Sequence, residues 1–519
     1  MKKKIQTVND SSNSIISVRW DAVSLAVLSG LLLFLSFPKF GTGWLAWIAF
    51  LPLFFALKKA SSVRNALVFG LITGVISYVG IIYWIAFVIV NYGNLPLHTG
   101  IALMLLLAFY LSVYISLFAG LVFYFQNKIS LCFAAPVIWV CFEYLKSIVL
   151  TGFPWENLGY SQYLNIYLIQ VADVTGVFGL SFLIILVNAT LFELANKGTK
   201  KTFIFATVVF LIMAMVYVYG FYRLNQVENL MKTSRDMEVS LIQGNIDQSI
   251  KWSAQYQGET LNIYERLSIR NLPEEGSLIV WPETAVPFKF QDKGILQDQI
   301  INLARKTRSW LIFGSISSSR KEGASDYFNS AYILSPEGEI QGKYDKVHLV
   351  PYGEYVPLRK FFPFVNKLTA GIGDFGKGTG FLPISMGEKK IGVLICYEGI
   401  LASAARSYKK NSADLLVNIT NDAWFGNTSA PFQHFSMTVF RAIETRLFLV
   451  RAANTGISGI IDPGGRITAR TNIFQEEALK GYVKYINMPT FYAKYGDLIV
   501  IASFLWLVFY LFLGFRRRL

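Results

Sequence analysis

With 519 residues, 53% of them hydrophobic, and a mean hydropathy of +0.43, the chain is too apolar for an ordinary soluble protein, and much of it belongs in lipid. The net charge of +15 and a pI near 9.4 would suit a nucleic-acid partner, but no basic stripe, RNA-binding motif or zinc spacing accompanies them. Nucleic acid is therefore not expected as a partner, and the widely separated His98, His348 and His434, with no Cys/His cluster, predict neither a metal nor another cofactor.

The first apolar run follows Lys2, Lys3 and Lys4 and imitates a signal peptide, yet Leu35-Ser-Phe-Pro38 has no small-x-small cleavage site, so a retained span is expected. Windows long enough to cross about 30 Å of hydrocarbon fall at 21–37, 43–57, 65–90, 100–126, 131–149, 167–194, 203–222 and 497–515. This predicts a polytopic α-helical membrane domain of about eight spans. Seven lie in 1–222, and the last lies in a C-terminal segment, 497–519, with a basic tail. The run at 43–57 is short and that at 131–149 carries Glu143 and Lys146, so one of the two is the candidate for a tilted or re-entrant helix.

Lys and Arg predict the orientation. With the N-terminus in the cytoplasm, the inside receives Lys2, Lys3, Lys4, Arg19, Lys58, Lys59, Arg64, Lys128, Lys197, Lys200, Lys201, Arg516, Arg517 and Arg518. The outer loops and span ends then hold only Lys39 and Lys146. Both termini are thus expected inside and the polar segment 223–496 outside.

After a linker-like stretch, Arg223 to Asp236, the polar segment alternates short apolar runs with helical patterns. Strands are predicted at 238–243, 277–281, 310–315, 327–334, 391–396, 414–419 and 457–462, and helices near 254–272, 294–307, 400–410 and 431–447. Pro336-Glu-Gly-Glu339 and Asp462-Pro-Gly-Gly465 read as hairpin turns. The pattern is that of an α/β domain.

One of these runs, Ile391-Gly-Val-Leu-Ile-Cys396, ends in the only cysteine of the outer segment, since Cys132 and Cys141 fall in an apolar span as packing residues. A free thiol in an oxidising compartment favours a reactive role. A lone cysteine after an apolar run is ordinarily inert packing, and a single Glu or Lys a solvated charge. Here, however, Glu283 in Trp281-Pro-Glu-Thr-Ala-Val-Pro287 also closes a strand, and Lys346 in Lys343-Tyr-Asp-Lys-Val-His348 precedes a loop rich in proline and aromatic residues. A nucleophilic thiol needs a base and a cation or N–H donors for the oxyanion, and these three residues supply that set.

Trp-Pro-Glu, Tyr-x-Lys-x-His and Cys-Tyr-Glu, in this order, resemble the nitrilase superfamily with its Glu-Lys-Cys triad. Gln243-Gly-Asn-Ile-Asp-Gln248 with Lys251-Trp252, His348-Leu-Val-Pro-Tyr-Gly-Glu-Tyr-Val-Pro357, Asn421-Asp-Ala-Trp-Phe-Gly426 and Phe153-Pro-Trp155 narrow this. They resemble the apolipoprotein N-acyltransferase family, which adds the third acyl chain to bacterial lipoproteins. The resemblance implies an α-β-β-α sandwich for the extracytoplasmic domain, in a multi-pass protein of the bacterial cytoplasmic membrane. It also implies catalytic Glu283, Lys346 and Cys396, with Trp252, Glu354, Tyr397 and Glu398 in support. Glu398 is expected to orient Lys346 or Glu283.

The chemistry then expected has two steps: Cys396 takes an acyl chain from a phospholipid as a thioester, and the α-amine of a diacylglyceryl apolipoprotein accepts it. Glu283 would be the base, with Lys346 and the backbone N–H of Tyr397 holding the oxyanion, each donor worth about 3 kcal/mol. A membrane-anchored amidase, in which water resolves the thioester, and a polytopic receptor whose outer domain only binds are the alternatives. Both substrates being lipids, membrane lipid should touch the pocket. Phe361-Phe-Pro-Phe364, with Phe362 and Phe364, and Phe381-Leu-Pro383 flank a glycine-rich stretch and read as either a lid or core contacts. Trp155 reads as an interfacial anchor or a substrate contact.

Overall fold

The computed structural model describes residues 19–270, 274–321, 324–355 and 374–516. The N-terminal region is helical: α1 (Trp20–Leu35), α2 (Leu51–Lys59), α3 (Val63–Ile82), α4 (Trp84–Gly93), α5 (Leu97–Phe125), α6 (Leu131–Ile148), α7 (Ala172–Lys197) and α8 (Lys200–Thr233). Among the described residues, five helical segments are long and apolar enough to cross a membrane: Val63–Ile82, Leu97–Phe125, Leu131–Thr151, Leu168–Lys197 and Lys200–Thr233. Ser62 and Thr199 cap α3 and α8 by accepting from the amides of Asn65 and Thr202. Small residues bring α3 and α5 together: a Cβ on Gly70 or Gly74 would lie 2.5 Å from Ala119 or 2.7 Å from Ser112. The helix α7 is central, whereas α8 presents most of its apolar surface outward.

Two apolar runs depart from the expected single spans. The run at 43–57 is a 3-10 turn, Gly43–Trp47, followed by α2, and the run at 65–90 is two helices parted at Tyr83. The second break has a visible partner: the Tyr83 hydroxyl accepts from the Ser429 amide at 3.0 Å, and the Trp84 indole donates to Gln433 at 3.2 Å. These contacts hold α4 against the α/β domain. The stretch after 222, expected as a linker, is the end of α8 and leads directly into the first strand.

The α/β domain has two sheets. In the first, β13 (Glu477–Lys484), β1 (Asp236–Gln243), β2 (Leu278–Val280), β4 (Trp310–Lys321), β5 (Ala324–Leu334) and β6 (Ile340–Asp345) lie in that order, with β3 (Val286–Lys289) also on β4. The second runs β12 (Ile467–Arg470), β11 (Gly459–Ile461), β10 (Phe448–Ala453), β9 (Leu415–Thr420), β8 (Lys389–Ile395), β7 (Ile384–Met386). The central pairs β1–β2–β4 and β8–β9–β10 are parallel. Both expected hairpin turns are present, closed by amides of Gly338 and Gly465, each with positive φ.

Alternation along the strands builds the layers. Leu241, Val280 and Ile312 face Val393, Val417 and Val450 of the other sheet. Ile242, Ile279 and Phe313 point the opposite way, against Leu261 and Tyr264 of α9 (Gln257–Arg270) and Leu303 of α10 (Ile295–Thr307). The helices α11 (Ala402–Lys410) and α12 (Ala430–Thr445) cover the second sheet, completing an α-β-β-α sandwich. Unlike α9 and α10, α12 is buried almost all round, because α7 packs on its outer side. A short α13 (Phe491–Tyr495) leads to the apolar α14 (Leu498–Arg516).

Candidate active site

Parallel strands deliver their C-terminal ends to one place, and the candidate residues sit there. Cys396 follows β8, Glu283 lies three residues beyond β2, and Lys346 follows β6. Cys396 has φ +53°, a left-handed backbone that costs a non-glycine residue about 1–3 kcal/mol and persists only where its surroundings hold it. The turn beginning at Cys396 is held by Glu398, which is buried and accepts from the amides of Ile395, Val347 and His348 at 2.8–2.9 Å and from the Tyr344 hydroxyl at 3.0 Å. Burial raises its carboxyl to about 7, against the opposing effects of Lys346 and these amides. Glu398 thus orients the main chain after Lys346 and before Cys396, rather than the Lys346 ammonium or Glu283, as the sequence had suggested.

Glu283 is held by residues that sequence reasoning missed. Asn329 of β5 donates to its Oε1 at 2.7 Å and to Glu354 Oε1 at 3.1 Å, and the Asn421 amide donates to its Oε2 at 2.9 Å. The buried Lys251 donates to the Glu283 carbonyl at 3.2 Å and to the Thr284 hydroxyl at 2.7 Å. Lys346 Nζ lies 2.9 Å from Glu354 Oε1 and 3.9 Å from Glu283 Oε1. Burial works against its charge, yet Glu354, then Cys396 and Glu283, outweigh it and keep the ammonium well above the ordinary lysine range. Lys346 is therefore a fixed cation and an unsuitable base. Burial first and Glu283 next push the Cys396 thiol up, while Lys346 pulls the other way. The resting sulfur is a thiol, so its attack requires a base to take the proton as it forms its bond.

The supporting residues divide. Glu354 belongs to the cluster, its Oε2 accepting from the Val350 amide at 2.8 Å. The Tyr397 ring stacks between His348 and Trp155, with centroids at 5.6 and 6.4 Å. Trp155 is only 1% exposed, and its indole donates to Gln433 of α12 at 2.8 Å; it is no lipid-facing anchor but part of the seam between the helical region and the α/β domain. Burial prevailed because Phe153-Pro-Trp155 folds under α12 instead of along the rim. Trp252 is 42% exposed and makes none of the contacts above; its neighbour Lys251 reaches the cluster instead. Phe362 and Phe364 lie outside the described residues, whereas Phe381 packs on Tyr408 of α11, a core contact. Among the described residues no three His, Cys, Asp or Glu side chains are grouped as metal ligands.

A carboxylate, an ammonium and a thiol at the strand ends of an α-β-β-α sandwich make this a nitrilase-type domain, and residues 238–485 match the carbon-nitrogen hydrolase family. Residues 29–190 match the apolipoprotein N-acyltransferase N-terminal domain. The apolipoprotein N-acyltransferase of Geobacter metallireducens is 46% identical over 501 residues, 95% of each chain, and that of Rickettsia prowazekii 32% identical over 90% of this chain and 95% of its own. The chain belongs to the apolipoprotein N-acyltransferase family. Among solved structures, a carbon-nitrogen hydrolase from Helicobacter pylori G27 is similar over 51% of this chain and 92% of its own, with 19% identity and a TM-score of 0.37.

Proposed function

We propose that the protein moves a fatty acyl chain from a phospholipid, through a thioester on Cys396, to the N-terminal α-amine of a diacylglyceryl-cysteine lipoprotein. The observation that carries this reading is the meeting of Glu283, Lys346 and Cys396 in a domain whose α12 is packed under apolar helices, together with the names of the relatives. Cys396 attacks the ester carbonyl as Glu283 takes the thiol proton. The oxyanion forms against Lys346 and the Tyr397 amide, then collapses, and the departing alkoxide leaves as lysophospholipid with the proton from Glu283. The amine next attacks the thioester, Glu283 takes its proton, and the restored thiol leaves the amide product. Glu354 and Asn329 keep the Lys346 ammonium and the Glu283 carboxylate apart but facing the same space.

The topology proposed with this chemistry has both termini in the cytoplasm and the α/β domain on the periplasmic side, as the distribution of Lys and Arg favours. A reporter near Lys200 should be cytoplasmic and one near Gly323 external. The reverse would sink the arrangement. For the chemistry, the protein in detergent is incubated with phospholipid labelled in its acyl chain, and Cys396 is examined by mass spectrometry. A thioester that passes to a diacylglyceryl-cysteine peptide is expected. Release only as free fatty acid would make the protein a hydrolase, and product from Cys396→Ala would end the covalent mechanism.

A further inference from the structure

The peptide between Cys396 and Tyr397 carries two groups at once. Its carbonyl oxygen belongs to Cys396 and its N–H to Tyr397, and in a trans peptide the two point in opposite directions. Whatever pins the carbonyl therefore aims the amide. Two side chains reach that oxygen: Asn418 Nδ2 from β9 and His434 Nε2 from α12, each at 3.3 Å. Both side chains are fully or almost fully buried.

One guanidinium sets both donors. Arg451 of β10 donates from Nη1 to Asn418 Oδ1, which turns the amide nitrogen of Asn418 toward Cys396, and from Nη2 to His434 Nδ1 at 3.0 Å and Asp422 Oδ2 at 2.8 Å. A carbonyl only accepts, so Nε2 of His434 carries a hydrogen, while Nδ1 lies 3.0 Å from both Arg451 Nη2 and Asp422 Oδ1. Burial, then Arg451, lowers the imidazole's affinity for a further proton, against the opposing pull of Asp422. Asp422 Oδ1 also accepts from the Thr420 hydroxyl at 3.0 Å, which fixes the carboxylate beside the imidazole.

We propose that His434 is a positioning residue for the acyl transfer: with Asn418 it pins the carbonyl of Cys396 and so aims the Tyr397 amide at the oxyanion. This rests on the reading of Cys396 as the acylated residue. The device also holds the left-handed backbone of Cys396, and its far end touches the helical region, since the Trp155 ring lies 5.7 Å from the His434 ring.

The test uses the full-length protein in detergent, labelled phospholipid as donor and a diacylglyceryl-cysteine peptide as acceptor. His434→Phe keeps a flat ring and removes the donor; it is expected to lower kcat on the order of 100-fold, the loss of one oxyanion donor, with KM within about twofold. Alkylation of Cys396 by iodoacetamide, which forms no oxyanion, should keep its wild-type rate. His434→Gln, whose amide N–H reaches the place of Nε2, should recover most of kcat, whereas His434→Asn, reaching only as far as Nδ1, should not. A folded His434→Phe protein with wild-type kcat overturns the proposal. Should that variant fail to fold, equal kcat for His434→Gln and His434→Asn overturns it. Cys396→Ala run alongside separates the two readings: product from it removes the covalent mechanism, while its inactivity beside an unimpaired His434→Phe removes only the role of His434.

Discussion

Two largely buried clusters in this protein each group one lysine with two glutamates, and they are oppositely constructed. At the strand ends, Lys346 touches Glu354 at 2.9 Å, and both oxygens of Glu283 have their own donors in Asn329 and Asn421. In the helical region, Lys146 donates to the Trp155 carbonyl at 3.0 Å instead of to a carboxylate. Glu143 accepts from the Leu158 amide through one oxygen, and its other oxygen and both oxygens of Glu156 have no hydrogen-bond partner. Glu156, 3% exposed, is pushed by burial well above the ordinary carboxylate range, against the pull of Lys146, which favours its neutral form. A buried charge is tolerable only when paired and hydrogen-bonded. The first cluster is built to keep its charges; the second directs its hydrogen bonds to the backbone of the loop 152–158 and leaves carboxyl oxygens without partners.

The sharpest way to break this contrast is to neutralise one member of the first cluster. Glu283→Gln should lower acyl-enzyme formation by about 10²–10⁴-fold, the worth of a general base, in a protein that still folds. Unchanged thioester formation by mass spectrometry would remove Glu283 from the chemistry. Lys346→Met leaves Glu283 and Glu354 facing each other without their cation, and should lower stability by about 3–5 kcal/mol as well as activity. Thermal unfolding in detergent reads the first effect and acyl transfer the second.

The matching change in the helical cluster is expected to be milder. Lys146→Met deprives the Trp155 carbonyl of its donor and should cost about 1–3 kcal/mol. A loss as large as that of Lys346→Met would mean that the two clusters are equally charge-dependent. Glu156→Gln replaces a neutral acid by a neutral amide and should change stability by less than about 1 kcal/mol, with activity within about twofold of wild type. A large loss would show that Glu156 works as an anion.

The smallest effect expected concerns the seam between the clusters. Burial and Arg451 lower His434 below its ordinary value of 6.5, so the unfolded chain takes up this proton first. Stability present above about pH 6.5 is then lost as pH falls through that region. His434→Gln should flatten this part of a stability–pH profile, and an unaltered slope would mean the imidazole is charged in the folded protein.

Much of the candidate site was legible because its proposed reactive groups stand at the ends of apolar strands. Cys396 follows β8, Glu283 follows β2 within a short loop, and their backbones are set locally by continuous apolar runs that predict buried strands. Asn329, Asn421 and Lys251 were not legible as holders of Glu283. An asparagine in a strand or loop can point either way, and which carboxylate it meets depends on another sheet or another loop. The strand β10 was missed for a related reason: Arg451 interrupts its apolar run, and the buried Asp422, Asn418 and His434 around it, with the Ile457 carbonyl, make an arginine acceptable there.

Local pattern, then, determined the apolar helical region, the α/β alternation and the three candidate side chains, because periodicity and strand ends are properties of neighbouring residues. The tertiary structure alone decided that α12 is buried under α7, that Trp155 lies in the seam rather than at a lipid surface, and that Lys251 rather than Trp252 reaches Glu283. Each of these turns on which distant surface covers a residue. Burial sets the cost of every polar group beneath it, and that covering is made by contacts between segments hundreds of residues apart, as between Trp155 and Gln433.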